Sequence, residues 1–321
     1  MILGLVASLA QADSIRIASF NTELHRKGPG LLLRDLRKGA PDIDHVLARL
    51  AEVDADIWVL QDIDYDAGGM ALSALAELAG YPHRFALAPN AGLRSGEDLD
   101  GNGRVGGPRD AQGYGWFSGQ GGMAILSRYP LKLLADETAR LWADQPWAAL
   151  PQTADGPFLT PAALALQRLS SVGHWAVRVD LPGGALTILT AHATTPVFDG
   201  PEDRNGLRNA DEIRLLREML EDVPGPALIA GDLNLDPGGG EGRREVIRAL
   251  LAHPRLRDPH PGQPTVDFGA ESAGKLRVSY VLPTRDLTLH GADVAWSDPP
   301  TRKGVRFTRH HPVWVDITLP R

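Results

Sequence analysis

A series of short apolar runs, each of strand length and bounded by Gly, Pro, Asp or Asn, sets the strongest limit on how this chain can fold. Runs rich in Val, Ile and Leu between such turn residues predict β-strands. A chain with many strands must pack them as sheets that cover one another or are covered by helices. The predicted strands are residues 15–21, 57–61, 122–127, 174–180, 185–191, 227–231, 278–282 and 313–318.

Helical periodicity appears between these runs, at residues 43–53, 70–78, 209–220 and 245–251. Asp42 is a plausible N-cap for the first helix, and Gly80 suits the position after the second. The mixture predicts sheets packed face to face with helices outside. The length of 321 residues suits one large α/β domain over residues 13–321.

The first twelve residues form an apolar run that ends in the small-x-small triplet Ala10-Gln11-Ala12. This pattern predicts a signal peptide over residues 1–12, and hence a secreted or periplasmic protein. No later stretch reaches the roughly 18 apolar residues of a membrane span. We therefore expect no transmembrane segment, and we expect a monomer.

The chain contains no cysteine, which excludes disulfides, a thiolate nucleophile and a zinc–thiolate site. Any catalysis must then depend on carboxylates, imidazoles, amides and a hard metal ion. The formal net charge of −7 provides no overall attraction to a polyanion. Tight, sequence-independent binding to duplex DNA is accordingly disfavoured.

Polar residues occur where the predicted strands end. Taken singly, each is weak evidence, because Asn and Asp after a strand are most often turn residues and a lone His is most often structural. Their order along the chain, and the fact that together they supply carboxylate, amide and imidazole groups, are more informative than any single residue. They are Asn21, Asp62, His192, Asp232, Asn234 and His311.

Six short segments that carry these residues, in this order, resemble the endonuclease/exonuclease/phosphatase superfamily. The resemblance covers nearly all of residues 13–321 and implies a four-layered α/β (α+β) sandwich of two packed mixed β-sheets flanked by helices. It also implies a metal-dependent phosphoesterase. The segments are Ser19-Phe20-Asn21, Leu60-Gln61-Asp62, residues 122–130, Thr190-Ala191-His192, Gly231-Asp232-Leu233-Asn234 and His310-His311-Pro312-Val313.

The resemblance also implies roles for the individual residues. Asp232 would orient or deprotonate the attacking water, with Asn234 helping to hold that water. His192 and His311 would donate to the phosphoryl oxygens, and Asn21 would support the metal and the surroundings of Asp232. Charge neutralisation and an in-line water are what phosphoester hydrolysis requires.

Asp62 is the ligand that the resemblance implies for an active-site Mg²⁺ or Mn²⁺, since such ions are bound through one or two carboxylates. The substrate would be a phosphate ester, either a small molecule or a nucleic acid.

Three positions depart from the family pattern. Asp62 stands where Glu is usual, and Ser279 stands where an Asp commonly pairs with the C-terminal His. In the segment Arg309-His310-His311, His310 is read as replacing a carboxylate near the metal. These departures leave an alternative open, namely a catalytically weakened or non-catalytic binding protein that retains the fold.

A polar segment follows His192 and leads into the helix predicted from residue 209. Arg204 and Arg208 in this segment are candidates for clamping a phosphate group, together with Asn205. A solvated polar loop leading to a helix cap explains the same residues equally well.

A second metal site is predicted in the run Asp98-Leu99-Asp100-Gly101-Asn102-Gly103. Oxygen ligands at alternate positions with Gly at the sixth are typical of the start of a calcium loop. The twelfth position is Arg109, so the motif is incomplete, although the next residue, Asp110, offers a carboxylate. The side chains predicted to bind Ca²⁺ are those of Asp98, Asp100, Asn102 and Asp110. A plain cluster of turns is the alternative.

Overall fold

Two mixed β-sheets packed face to face form the centre of the protein in a computed structural model that describes residues 14–320. The signal peptide predicted at residues 1–12 lies outside the described residues. Within residues 14–320, no helix is both long enough and apolar enough to cross a membrane.

A strand occupies each of the eight predicted runs, and further strands lie outside them. In chain order they are β1 (Ile15–Asn21), β2 (Ile57–Ile63), β3 (His83–Phe85), β4 (Gly122–Ser127), β5 (Leu131–Asp136), β6 (Gln152–Thr153), β7 (Gly156–Pro157), β8 (His174–Leu181), β9 (Gly184–Ala191), β10 (Ala227–Asp232), β11 (Val266–Asp267), β12 (Lys275–Leu276), β13 (Ser279–Pro283), β14 (Thr288–Val294) and β15 (Val313–Thr318). The helices are α1 (Leu31–Lys38), α2 (Pro41–Val53), α3 (Met70–Ala79), α4 (Pro161–Leu164), α5 (Arg204–Asp222) and α6 (Arg244–Leu251).

The six-stranded sheet has the order β14-β15-β1-β2-β4-β3, and the five-stranded sheet has the order β13-β10-β9-β8-β5. Each is mixed, because β1 pairs with β2 and β10 with β9 in parallel while their other pairings are antiparallel. The parallel pairs lie at the centre of the sheets. Their carboxyl ends therefore lie in the interior of the fold, not at a sheet edge.

The core between the two sheets is built from alternate residues of the central strands, because neighbouring residues of a strand face opposite sides. Ile17 of β1 and Val59 of β2 meet Ile188 of β9 and Leu228 of β10 in one apolar cluster. The alternate residues of each strand face the outer side of its sheet, where the helices pack. Both faces of the central strands are consequently buried.

Helices cover the two outer faces and complete four layers. Trp58 on the outer face of the six-stranded sheet packs with residues of α1, α2 and α3, and Ile229 on the other sheet packs with residues of α5 and α6. This arrangement confirms the fold class that the sequence predicted.

The observed helix ends agree with one of the two cap residues predicted from the sequence. Gly80 follows α3 with a positive φ of 77°, as predicted. Asp42 is not the N-cap of α2, because the helix begins one residue earlier at Pro41 with Ala40 as its cap. Proline suits this first position, where its missing N–H has no helical partner to lose.

Candidate active site

Asn21 and Asp232 meet across the interface between the two sheets. Each is the last residue of its strand and lies an even number of positions from Ile17 or Leu228, so both side chains share the inner face of their sheets. The amide nitrogen Nδ2 of Asn21 donates a 2.8 Å hydrogen bond to Oδ2 of Asp232. Both residues are buried. This pair forms the centre of the candidate site.

The second oxygen of Asp232 is held by the loop that follows β10. The backbone N–H of Asn234 donates to Oδ1 of Asp232 over 3.0 Å. The side chain of Asn234 donates in turn to the carbonyl of Ala193 over 2.9 Å, which ties this loop to the end of β9. The carboxylate of Asp232 is therefore fixed in orientation on both of its oxygens.

His192 and Ser279 lie on either side of Asp232 in the five-stranded sheet. His192 forms a parallel bridge with Asp232, and Ser279 lies opposite Asp232 in the antiparallel pairing of β13 with β10. Residues in register on neighbouring strands face the same side of a sheet. The structure thus brings the predicted residues Asn21, His192, Asp232 and Asn234 together.

The histidine beside Asp232 is His310, and His311 lies elsewhere. Nδ1 of His310 is 3.6 Å from Oδ2 of Asp232. The ring of His311 instead stacks on Trp296, with centroids 3.8 Å apart, and its Nδ1 accepts from the backbone N–H of Ser297 over 3.3 Å. The expectation for His311 is corrected accordingly, because the isolated bridge of His310 with Val266 and the bond from the N–H of His311 to the carbonyl of Thr265 set the orientation of this segment.

Three buried polar atoms around Asp232 have no hydrogen-bond partner within residues 14–320. They are Oγ of Ser279, Nδ1 of His192 and Nδ1 of His310. Unpaired buried polar atoms are uncommon in folded proteins, and each calls for an explanation. Burial lowers the pKa of His310, which favours the neutral imidazole. A cluster of such atoms beside a carboxylate is suited to receive a polar ligand.

Asp62, the predicted metal ligand, lies where β2 departs from regular geometry. The pairing of β2 with β4 shifts its register between Gln61 and Ile63, and Asp62 adopts a positive φ of 58°. This kink re-aims a side chain that strand alternation would direct to the outer face. Oδ2 of Asp62 lies 2.7 Å from Nδ1 of His25, and this hydrogen bond raises the pKa of His25.

The loop before β4 is shaped around Asp62 and Asp64. A Cβ on Gly121 would lie only 2.7 Å from Oδ1 of Asp62, so the lack of a side chain at Gly121 keeps this oxygen accessible. The N–H of Gly121 donates to Asp64, which also accepts from the N–H of Arg26. Burial raises the pKa of Asp64 to about 6.

Glu23 and Arg309 form an ion pair beside the site that the sequence did not indicate. Nε and Nη2 of Arg309 donate to Oε1 of Glu23 over 3.1 and 2.5 Å, and Nη2 of Arg306 donates to the same oxygen over 2.7 Å. Burial alone would raise the pKa of Glu23, but the hydrogen bonds and charges of its partners outweigh it and lower the pKa to about 2. Glu23 is therefore a carboxylate saturated by guanidinium groups.

Three of these residues share an unusual backbone conformation. Glu23, Asp62 and Asn234 have φ values of 46°, 58° and 52°. Positive φ is uncommon for residues other than glycine, and such strain tends to occur at functional sites. All three lie at or just after the carboxyl ends of β1, β2 and β10, the strand ends that carry the candidate site.

Arg204, Asn205 and Arg208 are not brought to the site. Helix α5 begins at Arg204, earlier than the predicted residue 209, and this earlier start places both arginines on a buried helix face. The guanidinium of Arg208 is occupied by backbone carbonyls such as that of Leu169, and Arg204 donates to the side chain of Gln167. The prediction of a phosphate clamp is therefore corrected, since these side chains stabilise loops.

The run from Asp98 to Asp110 forms a compact loop with converging carboxylates. Ligand atoms of Asp98, Asp100 and Asp110 all lie within 4.8 Å of one another, the one such group of three found among residues 14–320. Asp98 accepts from the backbone N–H groups of Gly101 and Gly103, whereas Asn102 turns its Oδ1 to the N–H of Arg104. Three of the four predicted calcium-binding side chains are thus close together.

Solved structures share this fold at low sequence identity. The crystal structure of an endonuclease/exonuclease/phosphatase from Beutenbergia cavernae matches with a TM-score of 0.61 and 20% identity, covering 96% of this chain and 72% of that one. A humanised TDP2 of D. rerio matches with a TM-score of 0.56 and 15% identity over 95% of this chain and 99% of that one. Sphingomyelinase C from Streptomyces griseocarneus matches with a TM-score of 0.51 and 17% identity over 95% and 99%.

Among curated proteins, none matches the sequence. The sequence model of the Endonuclease/Exonuclease/phosphatase family matches residues 18–310, a span that runs from β1 to His310 and includes the whole of the cluster around Asp232. The chain belongs to the endonuclease/exonuclease/phosphatase family.

Proposed function

We propose that this chain hydrolyses a phosphate ester by attack of an activated water. The observation that carries the proposal is the carboxylate of Asp232, which Asn21 and the N–H of Asn234 hold while His192 and His310 lie beside it. A carboxylate so oriented is suited to position a water and accept its proton. Members of the family are typically metal-dependent phosphoesterases.

Each neighbouring group has a task in this proposal. Asn21 and Asn234 keep the Asp232 carboxylate pointed at the water, which favours the in-line geometry that phosphoryl transfer needs. His192 and His310 each carry an unpaired ring nitrogen in the same place, and either nitrogen could donate to a phosphoryl oxygen when protonated.

Asp62 fits as a ligand of a divalent metal ion. The space beside its Oδ1, which any side chain at Gly121 would fill, accommodates an ion or its bound water. Mg²⁺ and Mn²⁺ use one or two protein carboxylates and otherwise water or substrate oxygens, so the single carboxylate of Asp62 is sufficient. When bound, the ion would neutralise charge on the phosphoryl oxygens.

We also propose that Ca²⁺ binds the loop from Asp98 to Asp110 and stabilises it. The three converging carboxylates support this proposal, and extracellular modules typically bind calcium with dissociation constants of about 10⁻⁴–10⁻³ M. The site would be structural, since none of its side chains contacts the cluster around Asp232 in the described part of the chain.

The test is a substrate panel with the wild type and Asp232→Asn. The panel contains bis-p-nitrophenyl phosphate, p-nitrophenyl phosphate, DNA, RNA and phospholipids, each with Mg²⁺, Mn²⁺ or Ca²⁺. One related structure is a D. rerio TDP2 in complex with a single-strand DNA product, and another is a sphingomyelinase C, so nucleic acid and phospholipid are both included. We expect metal-dependent hydrolysis that Asp232→Asn lowers by about 10²–10⁴-fold.

Asp286→Asn is the matched control, because Asp286 is exposed on another part of the surface. Hydrolysis unaffected by Asp232→Asn would contradict the proposal. Binding of a phosphate ester without turnover would instead favour a non-catalytic relative that retains the fold.

A further inference from the structure

A cluster of one carboxylate and two guanidinium groups lies beside Asn21. Glu23 has a side chain that is 5% exposed, whereas Arg309 and Arg306 are 39% and 63% exposed. One positive charge is therefore left in excess, and it lies on the solvent side of a buried carboxylate. The catalytic proposal does not use this charge.

The segment that carries Arg309 is fastened to the site through three consecutive residues. Thr308 donates through its hydroxyl to the backbone carbonyl of Asn21 over 2.8 Å, Arg309 pairs with Glu23, and His310 lies beside Asp232. The N–H of Glu23 also donates to Oδ1 of Asn21 over 3.2 Å. The guanidinium of Arg309 is thus anchored within two residues of Asn21.

The orientation of this guanidinium is fixed on two sides. Nε and Nη2 face Glu23, and the ring of Phe268 lies 4.8 Å from the guanidinium carbon. Within residues 14–320, no hydrogen bond is made by Nη1 of Arg309, so this edge is available to a ligand. A fixed, partly exposed guanidinium with a free edge is well suited to bind phosphate oxygens.

We propose that Arg309 binds the phosphate group of the substrate, with Glu23 as its positioning partner and Arg306 contributing charge. This inference rests on the proposed phosphoesterase function and names the cation that recognises its substrate. It reassigns to Arg309 the task that the sequence suggested for Arg204 and Arg208. Glu23 restricts the guanidinium to one orientation, which lowers the entropy lost when phosphate binds.

The experiment measures binding of inorganic phosphate by calorimetry, and separately the hydrolysis of bis-p-nitrophenyl phosphate. The variants are Arg309→Gln, Arg309→Lys and Glu23→Gln, with Arg302→Gln as the control on the same exposed segment. Thermal unfolding of every variant verifies that it is folded.

We expect Arg309→Gln to weaken phosphate binding by about 10–100-fold, the range for losing hydrogen bonds from a charged group. Arg309→Lys should recover part of the loss, because it keeps the charge without the planar fork. Glu23→Gln should weaken binding less than Arg309→Gln does, because the guanidinium stays in place but loses the charged partner that fixes its orientation. Arg302→Gln should match the wild type.

Equal losses of phosphate affinity in Arg309→Gln and Glu23→Gln would overturn the inference, because they would show that the ion pair only supports the fold. Wild-type affinity in Arg309→Gln, or no measurable binding to the wild type, would overturn it as well. If phosphate binds through Arg309 but no ester in the panel is hydrolysed, the proposed function fails, whereas the phosphate site at Arg309 stands.

Discussion

The side-chain amide of Asn21 donates a 2.8 Å hydrogen bond to the carboxylate of Asp232, and this bond joins the ends of two strands that belong to different sheets. The bond fixes the orientation of the Asp232 carboxylate at the place where the proposed function requires a water to be activated. Its geometry depends on how the two sheets are packed, so fold and chemistry are coupled here.

Replacing the amide by a second carboxylate tests this coupling. In Asn21→Asp two carboxylates would lie within hydrogen-bonding distance, and like charges so close cannot both ionise easily, which raises the pKa of one of them. We expect the acidic limb of the kcat/KM profile against pH to move upward by at least about 1 unit. Asn21→Ala should lower the rate without this shift. An unmoved limb in Asn21→Asp would show that Asp232 does not act as the base.

The two adjacent histidines allow a matched pair of substitutions. His310→Gln removes the ring beside Asp232 and should lower kcat by about 10²–10⁴-fold. His311→Gln alters a ring that stacks on Trp296 and should leave kcat within about threefold, because that ring does not face Asp232. Steady-state kinetics on one substrate compares them directly. The reverse order of effects would return the catalytic role to His311.

Most of the strands were predictable from the sequence, and so was the cluster around Asp232. Strand alternation requires only that Ile17 and Leu228 face the core, and the inner position of Asn21 and Asp232 then follows. The choice between His310 and His311 was not predictable in this way. Alternation extended back from β15 places His311 inside, but an isolated bridge between His310 and Val266 breaks that pattern.

The remaining parts of the site depend on contacts that local patterns do not encode. Glu23 and Arg309 are separated by 286 residues, and no periodicity links them. Asp62 is re-aimed by a register shift in β2, and α5 starts at Arg204 without a side-chain cap that would mark its beginning. Such features arise from tertiary packing, which overrides local propensity.

Removal of the metal ligand should weaken metal binding more than it affects folding. Asp62→Asn keeps the shape of the side chain but loses the negative charge that is proposed to hold Mg²⁺ or Mn²⁺. We expect the ion concentration for half-maximal activity to rise at least about tenfold, with activity partly restored by excess metal. Asp286→Asn is again the control. Unchanged metal dependence in Asp62→Asn would place the ion elsewhere.

Calcium should stabilise the loop from Asp98 to Asp110 without affecting turnover. A ligand that binds only the folded state raises the free energy of unfolding by about 2.7 kcal/mol when its free concentration is about 100 times its Kd. The melting temperature then rises by several degrees. Asp98→Asn combined with Asp110→Asn should abolish this gain. The measurement is thermal unfolding with and without Ca²⁺ in the Asp62→Asn background, which separates the loop from the active-site ion. If Ca²⁺ stabilised the Asp62→Asn protein equally with and without the Asp98→Asn and Asp110→Asn substitutions, the proposed calcium site would be disproved.

The last expectation concerns stability at low pH and follows from the burial of His311. Burial, together with the nearby guanidinium of Arg49 and the ring of His310, lowers the pKa of His311 to about 4, although Asp267 and Asp298 act in the opposite direction. The folded protein therefore binds this proton less readily than the unfolded chain, in which an ordinary histidine titrates near about 6.5.

Stability linked to His311 is complete above pH ~6.5 and is lost progressively as the pH falls towards ~4, at most about 3 kcal/mol in all. In urea unfolding between these two pH values, the free energy of unfolding should accordingly fall less steeply with decreasing pH in His311→Gln than in the wild type. His290→Gln, which alters an exposed histidine, should keep the wild-type slope. Equal slopes of the free energy of unfolding against pH for the wild type and His311→Gln would mean that His311 has the same pKa in the folded and unfolded states.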